Sequence, residues 1–536
     1  MFFWTLYLSS GDWQQSQTSE NEILRFKGSV YVDNSFVDGG TLFSLLSAAV
    51  DKGELDNALY GLNGFYSLVL QNQSELIAGV DHVRSRPLFY SMVDNHFYLS
   101  DNAEWVRAQV GDAEMALDAK EEFQLTGYVT GRDTLFPNVK QLQAGEYLTV
   151  REINGKIELS RKRYYRLLHS EPKSYDAQIL LKQLDDSAVG AIGRLVDYAG
   201  GRQIVIPLSG GYDSRLIATL LKRLGYENVI AFTYGVPGNK ESRYSEMVAE
   251  LLAIKWHFVE YSEELWRDAW QSDQRWEYQK CGSGWSSIAH MQDWLAVRIL
   301  EKDGVVEENC VFVPGHTGDF ISGGHIPPAA FKSINFSPYD AELAILEKHY
   351  SLAPLALFEN GKDFWLERVK RLIDDLPVRV GSDLANVCEK WEWQERQAKF
   401  ICNSVRVYDF FGYCWWLPLW DRDFVAFWLT VPLSLRKGRR WYIDYVDKLF
   451  YNATGEKIDQ GGKKSLLRLV YRKFSSAVSL FGGTNNGKGL GPQHLLWRAR
   501  YPGAEVDNLL KSGYTSVGVN SYDLLQNINK YLSGDM

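Results

Sequence analysis

The chain has 536 residues, of which 45% are hydrophobic and 23% are charged, and its net charge is −9. This composition is typical of a globular protein with more than one domain, and the acidic balance argues against nonspecific nucleic-acid binding. No apolar run is long enough to span a bilayer, and Met1 to Leu8 lack the positive flank of a signal peptide. The five cysteines are scattered without a C-x-x-C pair, which predicts reduced thiols in a cytoplasmic protein, with neither a zinc site nor a disulfide framework.

Residues 1 to about 165 contain short apolar runs separated by turn signals, which predicts an antiparallel α+β region. The candidate strands are Gly28–Val32, Phe65–Leu70, Glu75–Val80 and His96–Ser100, and the candidate helix is Thr41–Val50.

From about residue 175 onward, helical and strand patterns alternate, which predicts a parallel sheet with right-handed crossovers. The predicted strands are Ile204–Leu208, Val229–Tyr234, Trp256–Glu260 and Cys310–Val313, and the predicted helices include Lys173–Tyr198 and Glu241–Ala253. Ligands of such sheets bind at the carboxyl ends of the strands, where Ser209 and Gly315 lie. Residues from about 330 to 536 show a mostly helical pattern.

The first of these strands runs into Ser209-Gly210-Gly211-Tyr212-Asp213-Ser214, and a helix opens directly after this loop. The two glycines let the backbone approach an anion, and the free N–H groups of the helix N-terminus favour its charge. Both serines add hydroxyl donors, and Asp213 supplies a carboxylate for the Mg²⁺ that accompanies ATP. The loop lacks the Gly-Lys-Ser/Thr of a Walker motif and the Gly-x-Gly-x-x-Gly of a dinucleotide fingerprint. The alternative interpretation is a Ser/Gly turn that caps the helix.

This loop resembles the Ser-Gly-Gly-x-Asp-Ser motif of the ATP pyrophosphatases (PP-loop enzymes). Further segments, in the same order along the chain, resemble those of asparagine synthetases and their relatives, the β-lactam and carbapenam synthetases. The matching segments are Leu62–Leu68, Asp81–Tyr90, Thr134–Tyr147, Pro314–His325 and Leu417–Asp421. The resemblance implies an α/β chain with two domains. Residues 1–170 would form a degenerate class II glutamine amidotransferase-like domain, an antiparallel α+β sandwich of glutamine amidohydrolase type. Residues 171–536 would form a parallel-sheet ATP-pyrophosphatase synthetase domain with many helices.

The chain departs from this family at the glutaminase nucleophile, an N-terminal Cys. The corresponding residue is Phe2, and no Cys occurs before Cys281. We therefore expect the glutaminase activity to be lost. Ammonia would then come from solution, from a separate glutaminase, or from an amine on the substrate itself.

A second departure lies in the loop that contains Asp319, which the resemblance identifies as a metal-binding Asp. The family places a catalytic Glu, or a Tyr in β-lactam synthetases, three residues earlier, and that position is His316 here. A neutral His there could deprotonate an amine nucleophile; the alternative is a His that only hydrogen-bonds within the loop. The Glu that usually follows the Asp is Phe320, which argues against aspartate as the substrate.

The third departure concerns the basic residue that steadies the departing pyrophosphate. The family has Lys-x-x-Leu-Arg shortly after a Leu-Pro, and Arg440 lies at about that distance after Val431-Pro432. Lys464 begins a segment that matches the letters of the motif but lies much later. Both residues are candidates, and the alternative for either is a solvated basic face.

The resemblance implies an ATP-dependent carbon–nitrogen ligase. A carboxylate would attack the α-phosphate of ATP, an acyl-adenylate would form as pyrophosphate leaves, and ammonia or an amine would then attack the acyl carbon. Mg²⁺ would bind Asp213 and Asp319, while Leu208, Tyr234 and Gly315 would line the nucleotide pocket.

Two other functions stay open at this point: a PP-loop RNA-modifying enzyme and a noncatalytic nucleotide-binding protein. The acidic charge and the missing C-x-x-C pair count against the first, and Asp213 and Asp319 count against the second. Candidate partners are a small-molecule carboxylate, ammonia or an amine, a separate glutaminase, and a second copy of the chain in a homodimer. Neither nucleic acid nor a membrane is expected.

Overall fold

The computed structural model describes residues 4–9, 11–17, 22–458 and 516–533. Its N-terminal part consists of short strands and four helices. The strands are β1 (Trp4–Tyr7), β2 (Gln14–Gln17), β3 (Ile23–Val32), β4 (Ser35–Phe36), β5 (Asn63–Gln71), β6 (Glu75–Val80), β7 (Phe89–Val93), β8 (His96–Ser100), β9 (Lys140–Gln141), β10 (Glu146–Ile153) and β11 (Lys156–Arg163). The helices are α1 (Gly39–Asp51), α2 (Leu55–Gly61), α3 (Ala103–Val110) and α4 (Leu117–Thr126).

These strands form two sheets that pack face to face. One has the order β1-β8-β7-β9, and the other has the order β11-β10-β6-β5-β3-β2, with β4 paired to β3. Side chains alternate between the two faces of a strand, and in β6 Leu76 and Ala78 join the core between the sheets. Ile77, between them, joins the core that α1 and α2 form on the outer face of the larger sheet. The predicted α+β sandwich is confirmed, although β1 and β8 pair in parallel.

The second part of the chain contains a parallel sheet surrounded by helices. Its strands are β12 (Ile204–Pro207), β13 (Val229–Gly235), β14 (Lys255–Glu260), β15 (Val311–Phe312) and β16 (Cys414–Trp415), in the order β14-β13-β12-β15-β16. The helices are α5 (Ala177–Ala199), α6 (Tyr212–Arg223), α7 (Lys240–Leu252), α8 (Glu263–Trp270), α9 (Asp273–Ser283), α10 (Met291–Lys302), α11 (Pro338–His349), α12 (Lys362–Ile373), α13 (Gly381–Trp391), α14 (Arg406–Phe410), α15 (Arg422–Trp428), α16 (Leu433–Arg436), α17 (Arg440–Thr454) and α18 (Ser516–Ser533). The π-helical segments Phe320–Gly324 and Glu392–Ile401 complete it.

The position of β12 determines where the loops of this sheet meet. Val205 of β12 pairs with Ile230 on one side and with Phe312 on the other. All neighbours run in parallel, so the loop after β12 lies between the loops after β13 and β15. The predicted parallel sheet is confirmed. The sequence pattern did not reveal β16, which lies in the segment from about residue 330 onward that showed a mostly helical pattern.

The two parts share a buried interface. The Nε2 atom of His82 lies 2.7 Å from the carbonyl oxygen of Trp420, and the indole N–H of Trp393 donates to the carbonyl of His82 at 2.7 Å. Tyr31 and Phe65 of the sandwich belong to the same buried cluster as the parallel sheet. The predicted domain boundary at residues 170 and 171 stays a prediction. Among the described helices, none has the length and apolar character needed to cross a bilayer.

A buried ion pair joins α5 to the segment before α15. Arg194 donates two hydrogen bonds to the carboxylate of Asp421, both at 2.6 Å, and Asn63 of the sandwich donates a third at 3.1 Å. Asp421 is 2% exposed, and its carboxylate also accepts from the first N–H groups of α15. This one side chain therefore caps a helix, neutralises a buried cation and links the two parts of the chain.

We expect Asp421→Ala to destabilise the protein by about 3–5 kcal/mol, because it removes both 2.6 Å hydrogen bonds of the buried Arg194 and leaves that charge only the half-exposed Asp423, at 3.1 Å. The control is Asp186→Ala, which breaks an exposed 2.5 Å pair with Lys182 and should cost no more than about 0.5 kcal/mol. Thermal unfolding measures both. Equal midpoints for the two variants would contradict the structural importance of the buried pair.

Candidate active site

A cavity of about 660 Å³ opens at the carboxyl ends of β12, β13 and β15. Nine residues predicted from the sequence line it: Leu208, Ser209, Gly211, Asp213, Ser214, Tyr234, Gly315, His316 and Asp319. Gly210 has a φ of +70° and does not line the cavity; a Cβ there would lie 2.5 Å from the Cβ of Tyr244. Gly210 therefore shapes the loop from behind, because no side chain fits in that conformation and space.

Helix α6 presents an open N-terminus to this cavity. Its N-cap is Gly211, which offers no side chain to the first N–H groups. The hydroxyl of Ser214 is buried and has no hydrogen-bond partner among the described residues. Unsatisfied N–H groups and a helix dipole favour an anion at such a position, and the hydroxyl of Ser214 adds a further donor.

The carboxylate of Asp213 lies at the centre of the site. One oxygen accepts hydrogen bonds from Arg439 at 2.8 Å and from the Tyr442 hydroxyl at 2.9 Å, and the other accepts from the backbone N–H of Asp319 at 2.9 Å. A Cβ at Gly318 would lie 2.8 Å from the Cγ of Asp213, so this approach requires a glycine. The pKa of Asp213 is raised to about 6. Burial is the largest cause, Arg439 opposes it, and the charge of Asp319 adds to the increase.

Asp319 contacts a histidine that is itself bonded to a glutamate, and the sequence revealed neither residue as part of the site. The Nε2 atom of His325 lies 3.2 Å from its carboxylate, and the Nδ1 atom of His325 lies 2.8 Å from the carboxylate of Glu392. Burial alone would raise the pKa of Asp319, but the hydrogen bond and charge of His325 outweigh burial and lower it.

Glu392 is the last residue of this hydrogen-bonded series, and its carboxylate is held in place by several donors. It is 1% exposed, and it accepts from Lys348 at 2.8 Å and from Arg396 at 2.9 Å. The pKa of Glu392 lies well below its usual range: burial raises it, but the bonds from His325 and His349 and their charges lower it more. Glu392 lies more than sixty positions after Asp319, in no quoted motif, so no sequence signal pointed to it.

His316 faces the cavity and hydrogen-bonds to the hydroxyl of Ser404 at 2.8 Å. Burial, followed by the nearby His290, lowers the pKa of His316 to about 4. The side chain is therefore neutral at pH 7 and able to accept a proton, but its low pKa makes it a weaker base than an exposed histidine. On the opposite wall, the hydroxyl of Tyr234 donates to the buried carboxylate of Asp293.

Among the described residues, Arg439 is the arginine that lines the cavity, one position before the predicted Arg440, and which of the two steadies pyrophosphate stays a prediction. Arg440 is exposed and begins α17, whereas Arg439 lines the cavity and contacts Asp213. Gly438 and Arg439 both have a φ of 62°, and this left-handed turn directs the second side chain inward. Such a conformation is costly for arginine, and strain of this kind is typical of functional positions. The rival candidate Lys464 lies outside the described residues.

A two-sheet sandwich followed by a parallel sheet with this loop defines a two-domain, amidotransferase-like synthetase architecture. The model of the family described as Asparagine synthase matches residues 199–400, and the model of the Glutamine amidotransferase domain matches residues 42–165. These two matches, each over less than half of the chain, support a relationship to the asparagine synthetase family.

Among curated proteins, glutamine-hydrolysing asparagine synthetase 1 of Bacillus subtilis (strain 168) is 22% identical over 225 residues, which is 38% of this chain and 35% of that protein. The match thus spans about a third of that relative. Matching solved structures include the NH₃-dependent NAD synthetase from Campylobacter jejuni, with 19% identity, coverage of 28% of this chain and 61% of that chain, and a TM-score of 0.20. Another is the NMN synthetase from Francisella tularensis, with 13% identity, coverage of 42% and 97%, and a TM-score of 0.21. These structural likenesses establish nothing about activity.

We expect the ligand-free Asp213→Asn variant to be more stable than the wild type at pH 7.5. A carboxyl whose folded pKa is raised from 3.8 to about 6 binds its proton more tightly when folded, so wild-type stability falls as the pH rises between these values. Asn cannot ionise and removes this loss. Thermal unfolding in buffer without nucleotide or metal should show the advantage shrinking toward pH 4.5. A constant difference across this range would contradict the burial of an ionisable carboxyl.

Proposed function

We propose that this protein is an ATP-dependent ligase that forms an amide bond. It would activate a carboxylate as an acyl-adenylate with release of pyrophosphate and then transfer the acyl group to ammonia or an amine. The observation that carries the proposal is the juxtaposition, in one cavity, of an uncapped helix N-terminus with the carboxylates of Asp213 and Asp319. The relationship to the asparagine synthetase family supports the general class.

The cavity fits the triphosphate of ATP in its donor groups. The first turn of α6 has no side-chain cap, and the hydroxyl of Ser214 has no partner among the described residues. Gly315 permits close approach, since a Cβ there would lie 2.9 Å from the backbone nitrogen of Ser214. These features supply several hydrogen-bond donors where a phosphate would bind. Tyr234, at the end of β13, and Leu208 would line the base.

The carboxylates also fit Mg²⁺ in number and type. Within the described ranges there is no group of three or more His, Cys, Asp or Glu side chains able to hold a metal ion. Mg²⁺ usually binds through one or two carboxylates together with substrate phosphates and water, and Asp213 and Asp319 would be those carboxylates. When bound, Mg²⁺ would neutralise charge that grows on the phosphates.

Arg439 would exchange partners during the reaction. In the ligand-free protein its guanidinium is held by Asp213 and by the hydroxyl of Ser322, at 2.8 and 3.1 Å. A metal ion on Asp213 would replace this charge partner and free the guanidinium for the departing pyrophosphate. His316, neutral in its buried position, would accept the proton of the attacking amine.

Loss of the glutaminase step belongs to this proposal as well. Phe2, on which that expectation depends, lies outside the described residues. The source of ammonia, the cytoplasmic location and the homodimer likewise stay predictions.

The proposal is tested by measuring pyrophosphate release from ATP against a panel of carboxylates, with ammonia and amines as acceptors. We expect Asp213→Asn and Asp319→Asn each to lower release by at least ~10²-fold, the effect of removing a preorganised charge-stabilising group. The folded state should persist in both variants. Near-normal turnover by either one with the best acid would contradict the metal-binding pair.

Arg439 and Arg440 form a matched pair for testing the assignment of the basic residue. Arg439→Gln should lower kcat for pyrophosphate release by about 10²-fold, because a developing charge loses its guanidinium partner. Arg440→Gln should change it less than about threefold, because Arg440 is exposed and outside the cavity. The reverse order of effects would restore the original assignment to Arg440.

His316→Ala should separate the two half-reactions. Adenylation, which is measured by ATP–pyrophosphate exchange, should persist because the helix N-terminus and both carboxylates remain. Amide formation should slow by roughly 10²–10⁴-fold, the usual contribution of a positioned base, with partial recovery at high pH or excess amine. Ser404→Ala, which removes only the hydrogen-bond partner of His316, should have a smaller effect on the same step. Equal loss of exchange and amide formation in His316→Ala would instead assign His316 to loop packing.

A further inference from the structure

A second cavity, of about 350 Å³, lies between the sandwich and the synthetase domain and shares no lining residue with the first. We call it the interdomain cavity. Lys27 and Ser67 enter it from β3 and β5, and Arg406 and Asp409 enter it from α14. Arg86, from the loop before β7, completes this polar wall, and aromatic rings of Phe89 and Phe410 lie beside it.

Both guanidinium groups of the interdomain cavity retain unused donors. Arg86 stacks on the ring of Trp415 at 4.7 Å, and its ion pair with Asp409 is 3.7 Å long, beyond hydrogen-bond distance. Arg406 pairs with Asp409 at 2.7 Å and donates to the carbonyl of Ser85 at 2.6 Å. The Nε–H of each arginine has no hydrogen-bond partner among the described residues. The carboxylate of Asp409 is thus the shared ion-pair partner of Arg86 and Arg406.

Two further donors lie in the same wall. The side chain of Lys27 is 12% exposed, and its Nζ atom is 3.7 Å from Asp12, whose own side chain is 81% exposed. Burial, followed by the charge of Arg86, lowers the pKa of Lys27. Ser67 is fully buried, and its hydroxyl has no hydrogen-bond partner within the described ranges. A buried hydroxyl without a partner is costly.

Two acidic residues outside the polar wall, Asp101 and Glu104, already have protein donors. Asp101 accepts from the backbone of Ser9 at 2.7 Å and from the indole of Trp13 at 3.0 Å. Glu104 accepts from Arg107 and from Trp285. Within the polar wall itself, Lys27, Arg86 and Arg406 thus face the single carboxylate of Asp409, while Asp12, Asp101, Glu104, Glu277 and Lys280 line the rest of the cavity.

We propose that the interdomain cavity binds a small-molecule oxyanion, a carboxylate or a phosphate, through Lys27, Arg86, Arg406 and the hydroxyl of Ser67. The planar guanidinium fork suits both kinds of anion, and the volume is that of a site for a small metabolite. Bound anion satisfies the unused donors and offsets the cost of burying the cations. This inference does not depend on the proposed ligase activity, because no residue is shared with the active-site cavity.

The test is thermal unfolding of the full chain with sodium phosphate, sodium succinate or, at matched ionic strength, sodium chloride. Phosphate or succinate should raise the midpoint beyond chloride, because a ligand that binds only the folded state stabilises it. A response to phosphate alone identifies a phosphate ligand, and a response to succinate alone identifies a carboxylate ligand. No response beyond chloride to either probe overturns the proposal.

Variants show whether the anion-induced rise in the unfolding midpoint arises in the interdomain cavity. Arg86→Gln should weaken anion affinity at least ~10-fold, the effect of losing one charged hydrogen-bonding partner, and Ser67→Ala should weaken it about 3- to 10-fold. Ser67→Ala removes a buried hydroxyl without a partner among the described residues, so its midpoint without anion should be equal to or higher than that of the wild type. The Ser67→Ala variant therefore tests the proposed anion site even if Arg86→Gln does not fold.

Two controls separate this cavity from other anion sites. Arg161→Gln removes an arginine that stacks on Tyr90 outside the cavity, and Ser214→Ala removes the hydroxyl at the N-terminus of α6. Both should keep the full response. A response that survives Arg86→Gln and Ser67→Ala, or that is lost in Ser214→Ala, overturns the proposal.

Discussion

The active-site cavity depends on a carboxylate that is buried with donors from three distant parts of the chain. Asp213 follows β12, the N–H of Asp319 follows β15, and Arg439 precedes α17. Burying a carboxylate is costly unless hydrogen bonds and a cation compensate it. The close approach of all three groups explains the glycine at position 318, the left-handed turn at Gly438 and Arg439, and the central position of β12 in the sheet.

The parts of the fold that the sequence revealed are those with a local signal. The strand and helix around Ser209 to Ser214 have an apolar period and a glycine pair, and nine of the predicted site residues do line one cavity. The missed features arise from tertiary contacts. A count of residues after Val431-Pro432 could not distinguish Arg439 from Arg440, because the choice depends on two left-handed φ angles. Glu392 shows no signal at all, because its role comes only from packing against His325.

The sandwich is tied to the synthetase domain too closely to be an independent module. His82 bonds to both Trp420 and Trp393, and Asn63 bonds to Asp421. Under the proposed loss of the glutaminase step, a domain with no other task would not be expected to keep a buried polar interface, because each unpaired group there destabilises the fold. The interdomain cavity offers a physical reason for retaining it, since its donors come from both parts.

The surroundings of the two active-site carboxylates shift their pKa values in opposite directions. Burial raises the pKa of Asp213, whereas His325 lowers that of Asp319. His325 can do so because Glu392 holds its other nitrogen, and Glu392 is itself held by Lys348 and Arg396. Asp319 is therefore the firmly ionised member of the pair, and Asp213 is the member whose charge depends on a movable partner. Under the proposed function, Asp319 would be the stronger attractor for a metal ion, and Asp213 would bind the ion only by giving up its contact with Arg439. Environments that move the pKa values of paired acids apart commonly assign them different roles. Here the difference originates in His325, which contacts the carboxylate of Asp319 and is held by Glu392.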